Sequence, residues 1–128
     1  MTKHHKLIIV IEDETPLQDA LTDALTFEGY KVLSAFNGEE GLALIKKNKP
    51  DLVLLDIMMP VMNGMDVLKE MRSTPEYATT PVLLLTNINS VELIAQGMEY
   101  DIAGYIIKSD WSLEKLKADI KKIVEPGS

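Results

Sequence analysis

The segment Asp51-Leu52-Val53-Leu54-Leu55-Asp56 constrains this chain more than any other. Leu52 to Leu55 is apolar without alternation, so a strand here must be covered on both faces, as in the middle of a parallel sheet. The run is too short for a helix of ordinary length, and Pro50 and Pro60 fence the stretch on either side. Asp56 then stands at the carboxyl end of a central strand, where open α/β sheets bind their ligands. Standing alone, a carboxylate there is equally a solvating residue at a strand end.

The pattern recurs along the chain. Leu7 to Ile11 is a second unalternated run, ending in Glu12-Asp13-Glu14. Thr15 then reads as a helix N-cap, Pro16 as the first helical residue and Gln18 as the partner three residues after the cap. Leu17, Ala20, Leu21, Ala24 and Leu25 recur at helical spacing, and Gly29 is the stop. Lys31 to Phe36 is a weaker strand, and Asn37 with Glu40 caps a helix through about Lys47 that turns Leu42 and Ile45 inward. After the Asp51–Leu55 strand comes a helix from about Gly64 to Arg72, then an irregular connector from Ser73 to Thr80. Pro81 to Leu85 is the fourth strand and ends in Thr86-Asn87. A short helix from about Ser90 to Glu99 is expected to face inward with Val91, Ile94 and Met98. Ala103 to Ile107 is the fifth strand and ends in Lys108; the last helix buries Leu113, Leu116, Ile120 and Ile123, with Trp111 packed at its start. His4 and His5 belong to a loose N-terminus.

Strands alternating with helices make an α/β fold with a parallel sheet and right-handed crossovers. At 128 residues, enough for one domain, the expected form is a doubly wound five-stranded sheet of order 2-1-3-4-5 with helices on both faces. The first and third strands are then central neighbours, which brings Glu12, Asp13 and Asp56 together. A net charge of −7 argues against a nucleic-acid surface, which needs a field of Lys and Arg. There is no Cys for disulfides or zinc-thiolate chemistry, and no apolar run approaches the ~18 residues of a membrane helix. A cytoplasmic protein is expected.

Each strand end carries a chemically useful residue: Glu12-Asp13, Asp56, Thr86 and Lys108. Three carboxylates on one sheet edge repel one another unless a hard cation sits among them, and Mg²⁺ takes one or two such ligands while keeping several waters. With a lysine and a threonine hydroxyl opposite, the set suits a phosphoryl group, with Asp56 able to act as nucleophile.

These residues, in this order, resemble the receiver domain of two-component response regulators. The resemblance rests on the Glu12-Asp13 pair, Asp56 in Leu-Asp-Ile-Met-Met-Pro, Asn63-Gly64 opening the next helix, Thr86, and Tyr105 three residues before Lys108. It implies a flavodoxin-like three-layer (βα)5 sandwich over residues 1–125, with 126–128 a tail or the start of a linker. It implies that Asp56 accepts a phosphoryl group from a histidine kinase or phosphotransfer protein in a Mg²⁺-dependent reaction. Asp13 would ligate the metal directly and Glu12 through water, with Asp56 and the main-chain carbonyl of Met58 completing the protein's share. Thr86, Lys108 and Asn87 would hold phosphoryl oxygens. Thr86 and Tyr105 would form the switch, leading to a protein-binding face made by the fourth helix, fifth strand and last helix. Such a module is a switch that assists its own phosphorylation and dephosphorylation, not an enzyme acting on an outside substrate, and it is expected to bind no nucleic acid directly and to insert in no membrane.

Two positions depart from the family pattern. Asn87 replaces the usual Ala or Gly after the threonine, and Ser109 replaces the usual Pro after the lysine. With Ser there, a cis Lys108–Ser109 bond would cost about 2.5–4 kcal/mol, so a trans bond is expected. Three other functions fit the residues less well. An Asp-nucleophile phosphohydrolase wants an acid where Met58 stands, and a flavin phosphate would be repelled by Glu12-Asp13-Glu14. A pseudo-receiver adaptor, binding partners without phosphorylation, has no use for the intact acid, threonine and lysine set.

Overall fold

The computed structural model describes residues 6–59, 61–87 and 91–125. The expectations for His4, His5, the Pro60 boundary, the Ser90 helix start and the 126–128 tail lie outside the described residues. Strands β1 (Leu7–Ile11), β2 (Lys31–Ala35), β3 (Leu52–Asp56), β4 (Val82–Thr86) and β5 (Gly104–Ile107) form one parallel sheet in the order β2-β1-β3-β4-β5. Between and after them run α1 (Thr15–Phe27), α2 (Gly38–Asn48), α3 (Gly64–Ser73), α4 (Val91–Met98) and α5 (Leu113–Val124), with a 3₁₀ turn at Pro75–Tyr77. The expected fold class and strand order are both present.

The hydrophobic runs explain that order. Every residue of β3 and β4 is buried, as is β1 beyond Leu7, whereas the edge strands β2 and β5 keep exposed positions. Successive side chains alternate between the two sheet faces. Ile8, Val10, Leu52 and Leu54 pack with Leu21 and Leu25 of α1 and with Leu116 and Ile120 of α5. Ile9, Ile11, Val53 and Leu55 pack with Ile45, Leu68 and Met71 of α2 and α3. Each such buried Leu or Ile contributes about 1.5–3 kcal/mol.

Helix starts and faces show where local reading gave way to packing. Asn37 and Asn63 cap α2 and α3 through Glu40 N (2.9 Å) and Asp66 N (3.0 Å), the first as expected. The N-cap of α1, however, is Glu14 rather than Thr15, and no side chain caps it. Gln18, expected to serve that cap, is buried and turned to the strand ends instead. In α4 the expected inner residues Val91 and Met98 are 71% and 63% exposed. The inner face is Leu93 and Gly97, where a Cβ would lie 2.6 Å from Leu84 Cδ1, so any larger residue would have to displace that side chain for the helix to approach this closely. Leu113 is exposed as well, because α5 is phased by Leu116, Ile120 and Val124. Gly29 ends α1 at φ 99°, a conformation glycine adopts freely, and returns Tyr30 to the core.

One side chain ties the segment after α4 to the connector before β4. Arg72, at the end of α3, donates to the carbonyls of Tyr100 (2.6 Å), Thr80 (2.9 Å), Tyr77 (3.2 Å) and Asp101 (3.3 Å). Among the described residues no peptide bond is cis, so the Lys108–Ser109 bond is trans as expected. No helix of the described residues is long and apolar enough to cross a membrane.

Candidate functional site

The central position of β1 beside β3 places Glu12, one residue past the end of β1, next to Asp56, the last residue of β3. Glu12 and Asp56 are both buried and Asp13 is partly so; the three carboxylates offer oxygens within 4.8 Å of one another. Lys108, following β5, reaches across β4 to the same point. Its Nζ lies 2.9 Å from Asp56 Oδ2, 3.0 Å from Glu12 Oε1 and 3.9 Å from Glu14 Oε1. The sheet thus joins Glu12, Asp13, Asp56 and Lys108 as the sequence suggests.

Burial dominates the electrostatics. It pushes the Asp56 carboxyl up to about 8, against 3.8 for an ordinary aspartate; the Lys108 ammonium opposes the shift and the Glu12 charge reinforces it. Burial likewise raises Glu12, opposed by the Glu14 N–H and by Lys108. Burial favours the neutral form of Lys108, but Asp56 and Glu12 outweigh it and hold its pKa above the usual lysine value. One ammonium cannot satisfy this many acid oxygens. Asp56 Oδ2 and Glu12 Oε1 are buried with the Lys108 ammonium as a charge partner at 2.9 and 3.0 Å, but neither accepts a well-aligned hydrogen bond. Three carboxylates with hard oxygens within 4.8 Å of one another and a single ammonium among them suit a divalent cation such as Mg²⁺, so the residues present fit that ion.

The loop after β3 frames the acceptor position. Met58 N donates to Asp56 Oδ1 at 3.2 Å, while the Met58 side chain is exposed. Gly64 opens α3 against the Asp56 backbone; a Cβ there would collide with the Asp56 carbonyl and come within 2.8 Å of Ile57 Cα. Between them Val61, a β-branched residue, sits at φ 70°, a strained conformation. Thr86 is buried at the end of β4 and turns its hydroxyl onto the Asn87 carbonyl at 3.3 Å rather than onto the acids; Asn87 itself is exposed. Tyr105 lies on the edge strand, 45% exposed, away from the cluster.

Gln18 was not identified as part of this region from the sequence. Its Nε2 donates to Ala35 O (2.9 Å), Val10 O (3.0 Å) and Glu12 O (3.4 Å), and its Oε1 accepts from Thr22 Oγ1 at 3.0 Å. The available signal was helical phase: Gln18 falls on the same stripe as Leu21 and Leu25.

Comparisons with known proteins agree with this geometry. The response regulator MprA of Mycobacterium sp. (strain KMS) is 36% identical over 121 residues, covering 94% of this chain and 51% of that protein. The transcriptional regulatory protein AfsQ1 of Streptomyces coelicolor is 35% identical over 101 residues, covering 79% of this chain and 44% of that protein. The chain therefore spans about half the length of these relatives. Among solved structures, the Vibrio cholerae chemotaxis protein CheY4 superposes with a TM-score of 0.86 at 28% identity, over 94% of this chain and 99% of that one. The receiver domain of the Francisella response regulator 1452 gives a TM-score of 0.86 at 25% identity, over 97% and 100%. The profile of the response regulator receiver domain matches residues 8–121, and with the sheet order and the acid cluster at its carboxyl edge, this chain belongs to that family.

Proposed function

We propose that Asp56 accepts a phosphoryl group from a histidine kinase or phosphotransfer protein, in a Mg²⁺-dependent reaction in the cytoplasm. The observation that carries this reading is the buried pairing of Asp56 with Lys108 beside two further acids, at the carboxyl edge of the sheet. Asp13, Asp56 and the Met58 carbonyl would hold the metal, with Glu12 acting through water; the ion would supply positive charge to the phosphoryl oxygens. An Asp56 oxygen attacks phosphorus, the phosphorus–nitrogen bond of the donor phosphohistidine breaks, and the imidazole leaves carrying that electron pair. Lys108 and Thr86 receive the transferred oxygens, with Asn87 at the mouth of the site.

For Thr86 to do so, its hydroxyl must leave the Asn87 carbonyl. Movement there frees space towards Tyr105, and this change is what α4, β5 and α5 would present to a downstream protein. The chain then acts as a switch and not as an enzyme on an outside substrate. A pseudo-receiver role draws no support from a site that keeps every group the transfer uses.

The test is intact mass after incubation with acetyl phosphate and Mg²⁺. Wild type should gain one phosphoryl group and Asp56→Asn none. An adduct that persists in Asp56→Asn would overturn the assignment.

A further inference from the structure

We propose that Gln18 is a positioning residue for the acid cluster: its buried amide fixes the peptide from which Glu12 and Asp13 project, and thereby sets the site's affinity for a divalent cation. The inference rests on the reading of the site given above.

The β1–β2 ladder ends at the Ile11–Ala35 pair, just before the acids begin. Glu12 N donates to Ala35 O at 3.0 Å, and Gln18 Nε2 donates to that same oxygen at 2.9 Å. The amide also holds Val10 O at 3.0 Å and reaches Glu12 O at 3.4 Å. The peptide units on both sides of Glu12 are therefore tied, one through Ala35 and the other through Gln18. No bond of β1 with β2 or β3 extends this control to the Glu12 carbonyl.

The orientation of the amide is unique. Thr22 Oγ1 donates to Gln18 Oε1 at 3.0 Å and lies 3.1 Å from Ser34 Oγ. A flipped amide would set its oxygen against three carbonyl oxygens and lose all three of those bonds, keeping only a contact with the hydroxyl, which can accept as well as donate. Gln18 is 1% exposed, so water cannot replace what is lost. The first turn of α1 thus pins the ends of two strands and, through them, the direction in which the acids leave.

The experiment is a Mg²⁺ titration followed by amide NMR signals of the full chain, below the melting temperature of each variant. Gln18→Met keeps the length and removes the donors. It should weaken Mg²⁺ binding by about tenfold, the lower end of what outer supports of a metal site contribute. In the metal-free protein it should also shift the amide signals of Glu12 and Asp13 more than those of α3. Thr22→Val, which frees the amide without removing it, should move both readouts the same way by less. A role confined to stability would lower the melting temperature and leave the Mg²⁺ constant at the wild-type value, which overturns the proposal. If Gln18→Met fails to fold, Thr22→Val decides, and an unchanged constant there overturns it too. A wild-type protein with no Mg²⁺ response would instead remove the reading of the site itself.

Discussion

Asp56 is the residue whose charge its surroundings most disfavour, and this has a pH signature. Its folded carboxyl titrates at about 8 and an ordinary aspartate at 3.8, so between those values the native state keeps a proton that the unfolded chain has lost. Its contribution to stability is full below 3.8 and is lost as pH rises through about 8. Glu12, also raised, acts in the same direction. In chelator, the melting temperature of wild type relative to Asp56→Asn should fall across that window, leaving the variant more stable at the alkaline end by on the order of 1–2 kcal/mol. Thermal melts of both proteins at several pH values check this, and a difference flat in pH would refute it. The site's members were legible because each follows an apolar run, whereas Gln18 was not, since a polar residue near a helix start reads first as a cap.

At the scale of elements, α4 is the least embedded helix. Leu93 and Gly97 face the core, yet Val91, Ile94 and Met98 form an equally regular apolar series. A search for hydrophobic period cannot see Gly97, whose contribution is the room it leaves beside Leu84. Below α4 the chain depends on Arg72 and its carbonyl partners in two separate loops. Burial lowers the pKa of this guanidinium, with Asp101 opposing, and its carbonyl bonds offset that desolvation. Arg72→Met should therefore destabilise the protein by about 2–4 kcal/mol, as several partly buried carbonyls lose their donor together. Hydrogen exchange should rise more around residues 97–102 than in β1 or β3. Uniform acceleration across the sheet would show that the loss is global and not local to the α4–β5 connection.

For the whole molecule, three unalternated runs marked β1, β3 and β4 as interior, since runs buried on both faces must be, while the order itself was expected from the doubly wound form of a domain this size. The same order concentrates acid at one edge of a chain that already carries a net charge of −7. A divalent ion binding only the folded state should stabilise it by mass action, by about 2.7 kcal/mol at a hundred times its dissociation constant, and so raise the melting temperature. Mg²⁺ should produce this rise in wild type and not in Asp13→Ala. A full response in Asp13→Ala, measured by calorimetry, would place the ion elsewhere.

The ion pair of Lys108 with Glu12 spans 96 residues of sequence and crosses the two strands, β4 and β3, that separate β5 from β1. Glu12 and Asp56 meet as soon as β1 and β3 pair, whereas the ammonium arrives only when β5 docks on the far side of β4. Any partly built sheet lacking β5 therefore holds two buried acids with no cation of its own. Adding the last strand relieves that repulsion, so an edge strand with a single buried residue to recommend it is recruited by charge as well. The arrangement makes completion of the sheet more nearly all-or-none than its apolar contacts alone would.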